Sequence, residues 1–410
     1  MYDVGLMSAE GRKSRPLRVA FITSTPMNVR EGSGTFVAIK TLADALGGLG
    51  VQVDLVAPKR HLPVQTAERL VFNAGLRFRR WDDYDVTVGF DLDGYRIAGR
   101  TGCPHLASIK GVIADEMQYE RGWTRMTMAV QARREAHHVR HADRIVTTSA
   151  YSAGRLMHFY GLEQAPAVIP ELIDLDAWRE TFRLAKGAPG SGRFVVLCVC
   201  RLYPRKRVDL LLRAAAELKS RIPGLQVRIA GEGPESKSLQ RLMGPLGLGE
   251  HVRWLGTLDR EGLAREYNCC DVFCLPSVQE GFGIVFLEAM AARKPIVAAR
   301  AAAVPEVVPH ALLVAPDSHE ALAAGIETLY RQPDLRRTIA TTGLAAVQQF
   351  DAPRVAQKIL DELEQLVNPP ASTIVRDEQT GRLGPHGSSD SVIPPAEPGG
   401  LQGLLPGRRP

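Results

Sequence analysis

Short apolar runs alternate with stretches of helical periodicity along most of this chain, and they do so in two separate series. The first series predicts strands at Leu17–Thr23, Val51–Ala57, Asp85–Phe90, Leu106–Lys110, Arg144–Thr148 and Ala167–Ile169. A loop, Gly32-Ser33-Gly34-Thr35, and a helix through Leu46 are expected after the first strand. The polar run K-G-A-P-G-S-G then breaks the pattern. The second series predicts strands at Phe194–Cys200, Gln226–Ala230, Val252–Leu255, Val272–Leu275 and Pro295–Ala298, with a helix at Val208–Arg221. Alternation of this kind implies parallel sheets covered by helices on both faces.

The expected organisation follows from these breaks. Residues 1–16 form a flexible N-terminus, 17–180 a first Rossmann-like domain, 181–193 a linker and 194–348 a second Rossmann-like domain. A last helix, Asp351–Leu366 within 349–368, is expected to pack back toward the first domain. From 369 to 410 Pro, Gly and Ser replace hydrophobic periodicity, so a disordered tail is expected. The fold class is α/β, with two doubly wound domains facing a cleft, where ligands bind beyond the carboxyl ends of the strands.

Composition narrows the function classes. The 410 residues are 45% apolar and 23% charged, ordinary for a globular protein with two cores. A net charge of +6 suits an acidic ligand or an anionic membrane surface, and no basic block with interleaved aromatics points to nucleic acid. The six cysteines lack the paired C-x-x-C spacing of a zinc site and read as reduced core residues of a cytoplasmic protein. The first sixteen residues lack a signal-peptide apolar run, and no run of about 18 apolar residues is present to span a membrane.

The chemistry-bearing segment is E-G-F-G-I-V-F-L-E, from Glu280 to Glu288, after the strand closed by Pro276. Ile284, Phe286, Leu287 and Met290 have helical spacing, which puts Glu280 just before a helix and Glu288 inside it. A helix entrance favours a phosphate, whereas two carboxylates repel one unless they contact neutral hydroxyls beside it. A sugar nucleotide offers both. Two further loops sit at predicted strand ends: Arg201-Leu202-Tyr203-Pro204-Arg205-Lys206 supplies cations, and Gly231-Glu232-Gly233-Pro234 lets a ligand approach the backbone.

Together these segments resemble the retaining glycosyltransferases of GT-B architecture, family 4, the glycosyl transferases group 1. The resemblance covers roughly residues 17–366 and is strongest in R-L-Y-P-R-K, A-G-E-G-P, the E-x7-E segment, and P-E-V-V followed by L-L-V-A-P. In the first half G-S-G-T, A-D-R-I-V-T-T-S and V-I-P-E-L-I-D also match. The resemblance implies a metal-independent transferase that moves a hexose from a nucleoside diphosphate sugar to a hydroxyl acceptor, without a cofactor. It implies that Arg201 and Lys206 grip the donor diphosphate and that Glu280 contacts the transferred sugar, these three forming the catalytic set. Glu288 would bond the ribose. Gly281, Phe282, Gly283 and Ile284 would line the donor, with Gly231 and Gly233 near it and Gly34 against the phosphate from the other side. Lys110 and Asp115 are the residues expected to contact sugar or acceptor. Relatives carry glycine at Cys200 and Arg207, Asn-Gly at Glu171-Leu172, a glycine pair near Ala302-Ala303, and a histidine near Lys110.

Blander readings apply elsewhere. Arg205 and Arg207 read as solvated members of their basic run. Asp91-Leu92-Asp93 imitates a metal-binding D-x-D but reads as a loop of the first domain, His137, His138 and His141 read as one surface or acceptor-side helix, and no metal is expected. Arg77, Arg79 and Arg80 with Trp81 suggest an exposed strand edge before they suggest anionic lipid. The expected partners are a nucleotide sugar and a hydroxyl acceptor, with peripheral contact to the inner membrane face and a monomeric or homodimeric state. The alternatives are a nucleotide-sugar-binding protein or a sugar-nucleotide epimerase.

Overall fold

The structure, a computed structural model, describes residues 15–26, 29–59, 64–185, 187 and 192–368. The expected flexible N-terminus, apart from its last two residues, and the expected tail lie outside the described residues.

Two six-stranded parallel sheets organise the chain. The first has the order β2-β1-β3-β4-β5-β6, built from β1 (Arg18–Ile22), β2 (Gln52–Val56), β3 (Val86–Phe90), β4 (His105–Ile109), β5 (Arg144–Thr147) and β6 (Ala167–Val168). Its connections carry α1 (Val29–Gly48), α2 (Gln65–Leu76), α3 (Ile113–Glu116), α4 (Gly122–His141) and α5 (Ala150–Tyr160). After α6 (Leu175–Leu184) the second sheet follows in the order β12-β11-β10-β7-β8-β9. Its strands are β7 (Phe194–Val199), β8 (Leu225–Ala230), β9 (Val252–Gly256), β10 (Val272–Leu275), β11 (Ile296–Ala299) and β12 (Leu312–Val314). The helices here are α7 (Val208–Leu218), α8 (Ser236–Leu246), α9 (Arg260–Cys269), α10 (Ile284–Ala291), α11 (Val304–Val307), α12 (His319–Arg331) and α13 (Pro333–Ala346). The chain closes with α14 (Ala352–Val367).

Strand order explains where a site can form. β7 continues to β8 on one side, while its other neighbour, β10, belongs to the part of the chain that builds outward to β11 and β12. The sheet therefore reverses direction between β7 and β10. Loops leaving the carboxyl ends of two such strands diverge and leave a crevice. Here those loops are Cys200–Arg207 and Pro276–Gly283, the two that carry the sequence-predicted cations and carboxylates.

Packing redraws one boundary. Residues 175–184, divided in the sequence reading between the first domain and the linker, form α6, whose Leu175 and Trp178 belong to the second core with Tyr267 and Phe273. The amphipathic α14 buries Val355, Ile359 and Leu363 in the first core beside Val19 and Leu106. The expected Gly32–Thr35 loop is also corrected, because helical backbone begins at Val29 and Gly34 lies within α1. Glycine's poor helix propensity argued for a loop there, and propensity is a weak prior against tertiary packing. A Cβ on Gly34 would stand 3.9 Å from Ile284 Cδ1, so this turn of α1 faces the entrance of α10.

Two non-glycine positions, Arg207 and Ala302, have the left-handed backbone that favours glycine. Arg207 has φ 49° and Ala302 has φ 50°. Left-handed backbone costs an L-residue about 1–2 kcal/mol, partly offset by the entropy that glycine loses on folding. Ala302→Gly is expected to raise stability by about 0.5–1 kcal/mol, read as a higher urea midpoint with an unchanged slope.

Candidate active site

The loop after β7 folds into a short 3-10 turn, Pro204–Lys206, that turns Lys206 toward the loop after β10. Lys206 Nζ donates to Glu280 Oε1 at 2.6 Å, with both side chains largely buried. Arg201 sits in the same loop, its guanidinium carbon 5.9 Å from the centre of the Tyr203 ring. Gly283, at φ 92°, forms the N-cap of α10, and a Cβ there would strike Phe286 at 2.7 Å. Only glycine makes that turn without strain. Phe282 is buried edge-to-face on Phe350, centroids 5.6 Å apart, which anchors the segment from below.

Glu280 and Glu288 are 6% and 8% exposed, far below what free carboxylates show. Glu288 accepts from the Tyr267 hydroxyl at 2.9 Å. Burial pushes its pKa up to about 7, against the opposing pull of the Tyr267 hydrogen bond and of Arg260. Glu288 is therefore a buried carboxyl poised near neutrality within the first turns of α10.

The glycines after β8 have a packing cause. A Cβ on Gly231 would lie 1.9 Å from Cys200 O, and one on Gly233 2.6 Å from Leu202 N. They let that turn lie on the β7 loop, where Leu202 N donates to Glu232 O at 3.1 Å and Glu235 N to Leu202 O at 3.0 Å. The two glycines thus brace the loop that carries Arg201 and Lys206.

The two domains meet at this same loop. Ser149 Oγ donates to Gly281 O at 2.7 Å, and Thr148 and Ser152 bring hydroxyls to 3.1 and 3.2 Å. A carbonyl offers two lone pairs, so the three hydroxyls share it. Glu306, at the start of α11, accepts from Ala150 N and Tyr151 N, both at 2.8 Å. Those are first-turn amides of α5 that their own helix leaves unpaired, so the second domain caps a helix of the first. Arg205 is not a solvated loop residue. It reaches Glu116 at 3.2 Å and Glu120 at 4.0 Å across the cleft.

Two first-domain expectations land near the site with their polar atoms engaged. Lys110 Nζ bonds Glu171 Oε2 at 3.1 Å, both buried, and a Cβ on Gly281 would come within 2.9 Å of Lys110 O. Asp115 accepts from Tyr151 OH (2.8 Å), Arg155 Nε (2.8 Å) and Gln279 Nε2 (3.1 Å). That ties Asp115 into the seam between the domains.

The metal look-alikes resolve into structural networks. Asp93 accepts from Ser24 N at 2.6 Å and Asn73 Nδ2 at 2.8 Å, and Asp91 from Lys110 N at 2.9 Å. His138 turns inward, its Nε2 2.7 Å from His105 Nε2, and burial lowers the pKa of both rings, His138 to about 4. Among the described residues no three His, Cys, Asp or Glu side chains are placed to hold a metal ion. Trp81 is buried and donates to Leu76 O, so it offers no face to lipid.

Residues 180–344 match the family model of the glycosyl transferases group 1. The chain is 34% identical over 215 residues to the GDP-mannose-dependent alpha-(1-6)-phosphatidylinositol monomannoside mannosyltransferase of Mycolicibacterium smegmatis, covering 49% of this chain and 55% of that protein. The chain thus spans about half the length of the curated relatives it matches. Two solved structures show the same fold. Sucrose-phosphate synthase from Thermosynechococcus elongatus superposes with TM-score 0.71 at 22% identity, over 85% of this chain and 99% of that one. Anabaena HepE in complex with UDP and glucose gives 0.66 at 21%, over 85% and 100%. The matched region accordingly sits in a GT-B architecture of two parallel-sheet domains.

Glu306, Thr148, Ser149 and Glu171 all lie in segments that carried the resemblance, but sequence gave them no role. Tyr267 and Gln279 carried no signal.

Proposed function

We propose that the protein transfers a hexose from a nucleoside diphosphate sugar to a hydroxyl acceptor, with retention and without a resident metal. The donor binds the second domain, the acceptor the first. Lys206 and Arg201 hold the diphosphate and offset the charge that grows on it as the anomeric C–O bond breaks. Glu280 accepts hydrogen bonds from the sugar, Glu288 from the ribose, and the Gly281–Gly283 backbone faces the phosphates. The acceptor oxygen bonds the anomeric carbon on the face the diphosphate leaves, and its proton passes to a diphosphate oxygen. Glu280 is a positioning group in this scheme, since Lys206 already occupies it. Lys110 and Asp115 border the acceptor side through Glu171, Tyr151 and Arg155. Seating of the two domains excludes water, which otherwise hydrolyses the donor.

The observation that carries this reading is the 2.6 Å Lys206–Glu280 pair at the reversal point of the second sheet. The mannosyltransferase relative and the UDP- and glucose-bound neighbour support a nucleotide-sugar donor. Melting scans and release of nucleoside diphosphate from GDP, UDP and ADP hexoses test it. The matching donor at a hundred times its Kd should add about 2.7 kcal/mol of stability, and proton NMR of the product should show the donor's anomeric configuration. If no nucleotide sugar shifts melting or is consumed, the proposal fails. Binding without turnover on any acceptor would leave a nucleotide-sugar-binding protein, and a donor re-emerging with an inverted ring carbon would leave an epimerase.

A further inference from the structure

We propose that the first turns of α4 seat this protein on an anionic bilayer. Trp123, Met126 and Val130 are 73%, 63% and 37% exposed. They stand at i, i+3 and i+7 and therefore share one side of the helix. Every residue from Arg121 to Met126 is exposed, so the tip projects, whereas Gln131 is tied to Arg69 and Thr66 of α2 at 3.0 and 2.9 Å. The tip is a free end on a fixed stem.

Charge identifies what the tip meets. From Arg121 to His141 the helix carries five arginines and one acid, Glu135. That acid is 0% exposed and bonded to Ile113 N and the Tyr160 hydroxyl. Arg121 and Arg125 flank the apolar tip, and Arg133 and Arg134 extend it along the exposed side. An apolar stripe flanked by exposed arginines complements anionic lipid headgroups over an acyl boundary, with tryptophan at the interface. A second copy of this face would set arginine against arginine. The chain's own residues 369–410 hold four arginines against four acids, so they offer no net opposite charge.

The position of the tip has a consequence. Glu120, just before α4, lies 4.0 Å from Arg205 of the second domain, so the helix leaves from the cleft edge. A bilayer under α4 would present an acceptor headgroup to that cleft. This last consequence, unlike the docking itself, rests on the transferase reading.

The test uses the full chain with neither donor nor acceptor. It is mixed with vesicles of equimolar phosphatidylglycerol and phosphatidylcholine, or of phosphatidylcholine alone. The protein should sediment with the anionic vesicles only, and less as salt rises. Of the four tryptophans, Trp81 and Trp178 are buried and Trp123 is the most exposed. Tryptophan emission should therefore shift to the blue on binding, and W123F should lose that shift while still sedimenting. W123S/M126S should bind roughly tenfold more weakly or worse. R121Q/R125Q should lose about fivefold per arginine. Melting and donor hydrolysis should be unchanged in all of them, because these side chains touch neither core nor cleft. Equal binding of wild type and W123S/M126S, or no binding to either vesicle, would overturn the proposal. So would a dimer that W123S/M126S dissolves, or vesicle binding that appears only when 369–410 is removed.

Discussion

Lys206→Met is expected to lower kcat/KM for the donor by about two to three orders of magnitude, the loss seen when one preorganised charge partner of a transition state is removed. Stability should fall as well. Lys206 and Glu280 lie 2.6 Å apart with little exposure, and methionine would leave Glu280 without that partner. Removing one member of a buried pair costs about 3–5 kcal/mol. Arg205, whose charge Glu280 also helps to hold, offsets part of this, so the lower end is expected.

The double variant separates the two roles. Lys206→Met with Glu280→Gln removes both charges and leaves side chains of similar volume, so the urea midpoint should recover most of its loss. Turnover should not recover, because the diphosphate still lacks its cation. A Lys206→Met enzyme that unfolds more easily but keeps turnover within tenfold would reduce the pair to a structural ion bridge. Lys206 would then have no claim on the leaving group.

The second domain was legible because its signals are local. Apolar runs of four to six residues became β7, β8 and β10, and the spacing after Gly283 became α10 at Ile284. What sequence missed was set by how distant segments meet. Lys110 and Glu171 say little when read alone, and 61 residues apart they become one largely buried ion pair. Glu306 was only one letter of the P-E-V-V motif until its carboxylate fell on the amides of Ala150 and Tyr151. Arg205 was discounted because neighbouring cations in a loop are normally solvated, and only domain docking supplies Glu116 and Glu120. Trp81 failed as a lipid contact for the opposite reason: the fold turned it inward, while Trp123, in an unremarked stretch, was turned out. A single sequence encodes periodicity along the chain but not the partner on the far side of a cleft. The candidate residues were therefore nameable from local motifs, while the contacts that orient them were not.

Glu288→Gln should remove one contribution to the pH dependence of stability. Burial raises the Glu288 pKa from its ordinary value of 4.5 to about 7. Below the lower value the carboxyl is protonated whether the chain is folded or not, and nothing is lost. Between the two the unfolded chain releases its proton while the folded one retains it, so stability falls as pH rises and levels off above about 7. The drop is roughly 3 kcal/mol. Glutamine cannot ionise, so whatever constant cost its amide adds, the stability difference between variant and wild type should move by roughly that amount in the variant's favour from pH 4.5 to pH 8. Urea titrations at the two pH values measure it, and a difference that does not change with pH would mean that Glu288 is not held neutral by burial. Ligand binding should run the other way. Ribose hydroxyls donate to a carboxylate and stabilise its charge, so donor affinity should rise with pH through about 7 in the wild type, with proton release on binding, and stay flat in Glu288→Gln. Calorimetry in two buffers of different ionisation enthalpy counts those protons. Tight donor binding at pH 5.5 without proton exchange would place the ribose somewhere other than against Glu288, while leaving the Lys206–Glu280 pair to be judged by turnover.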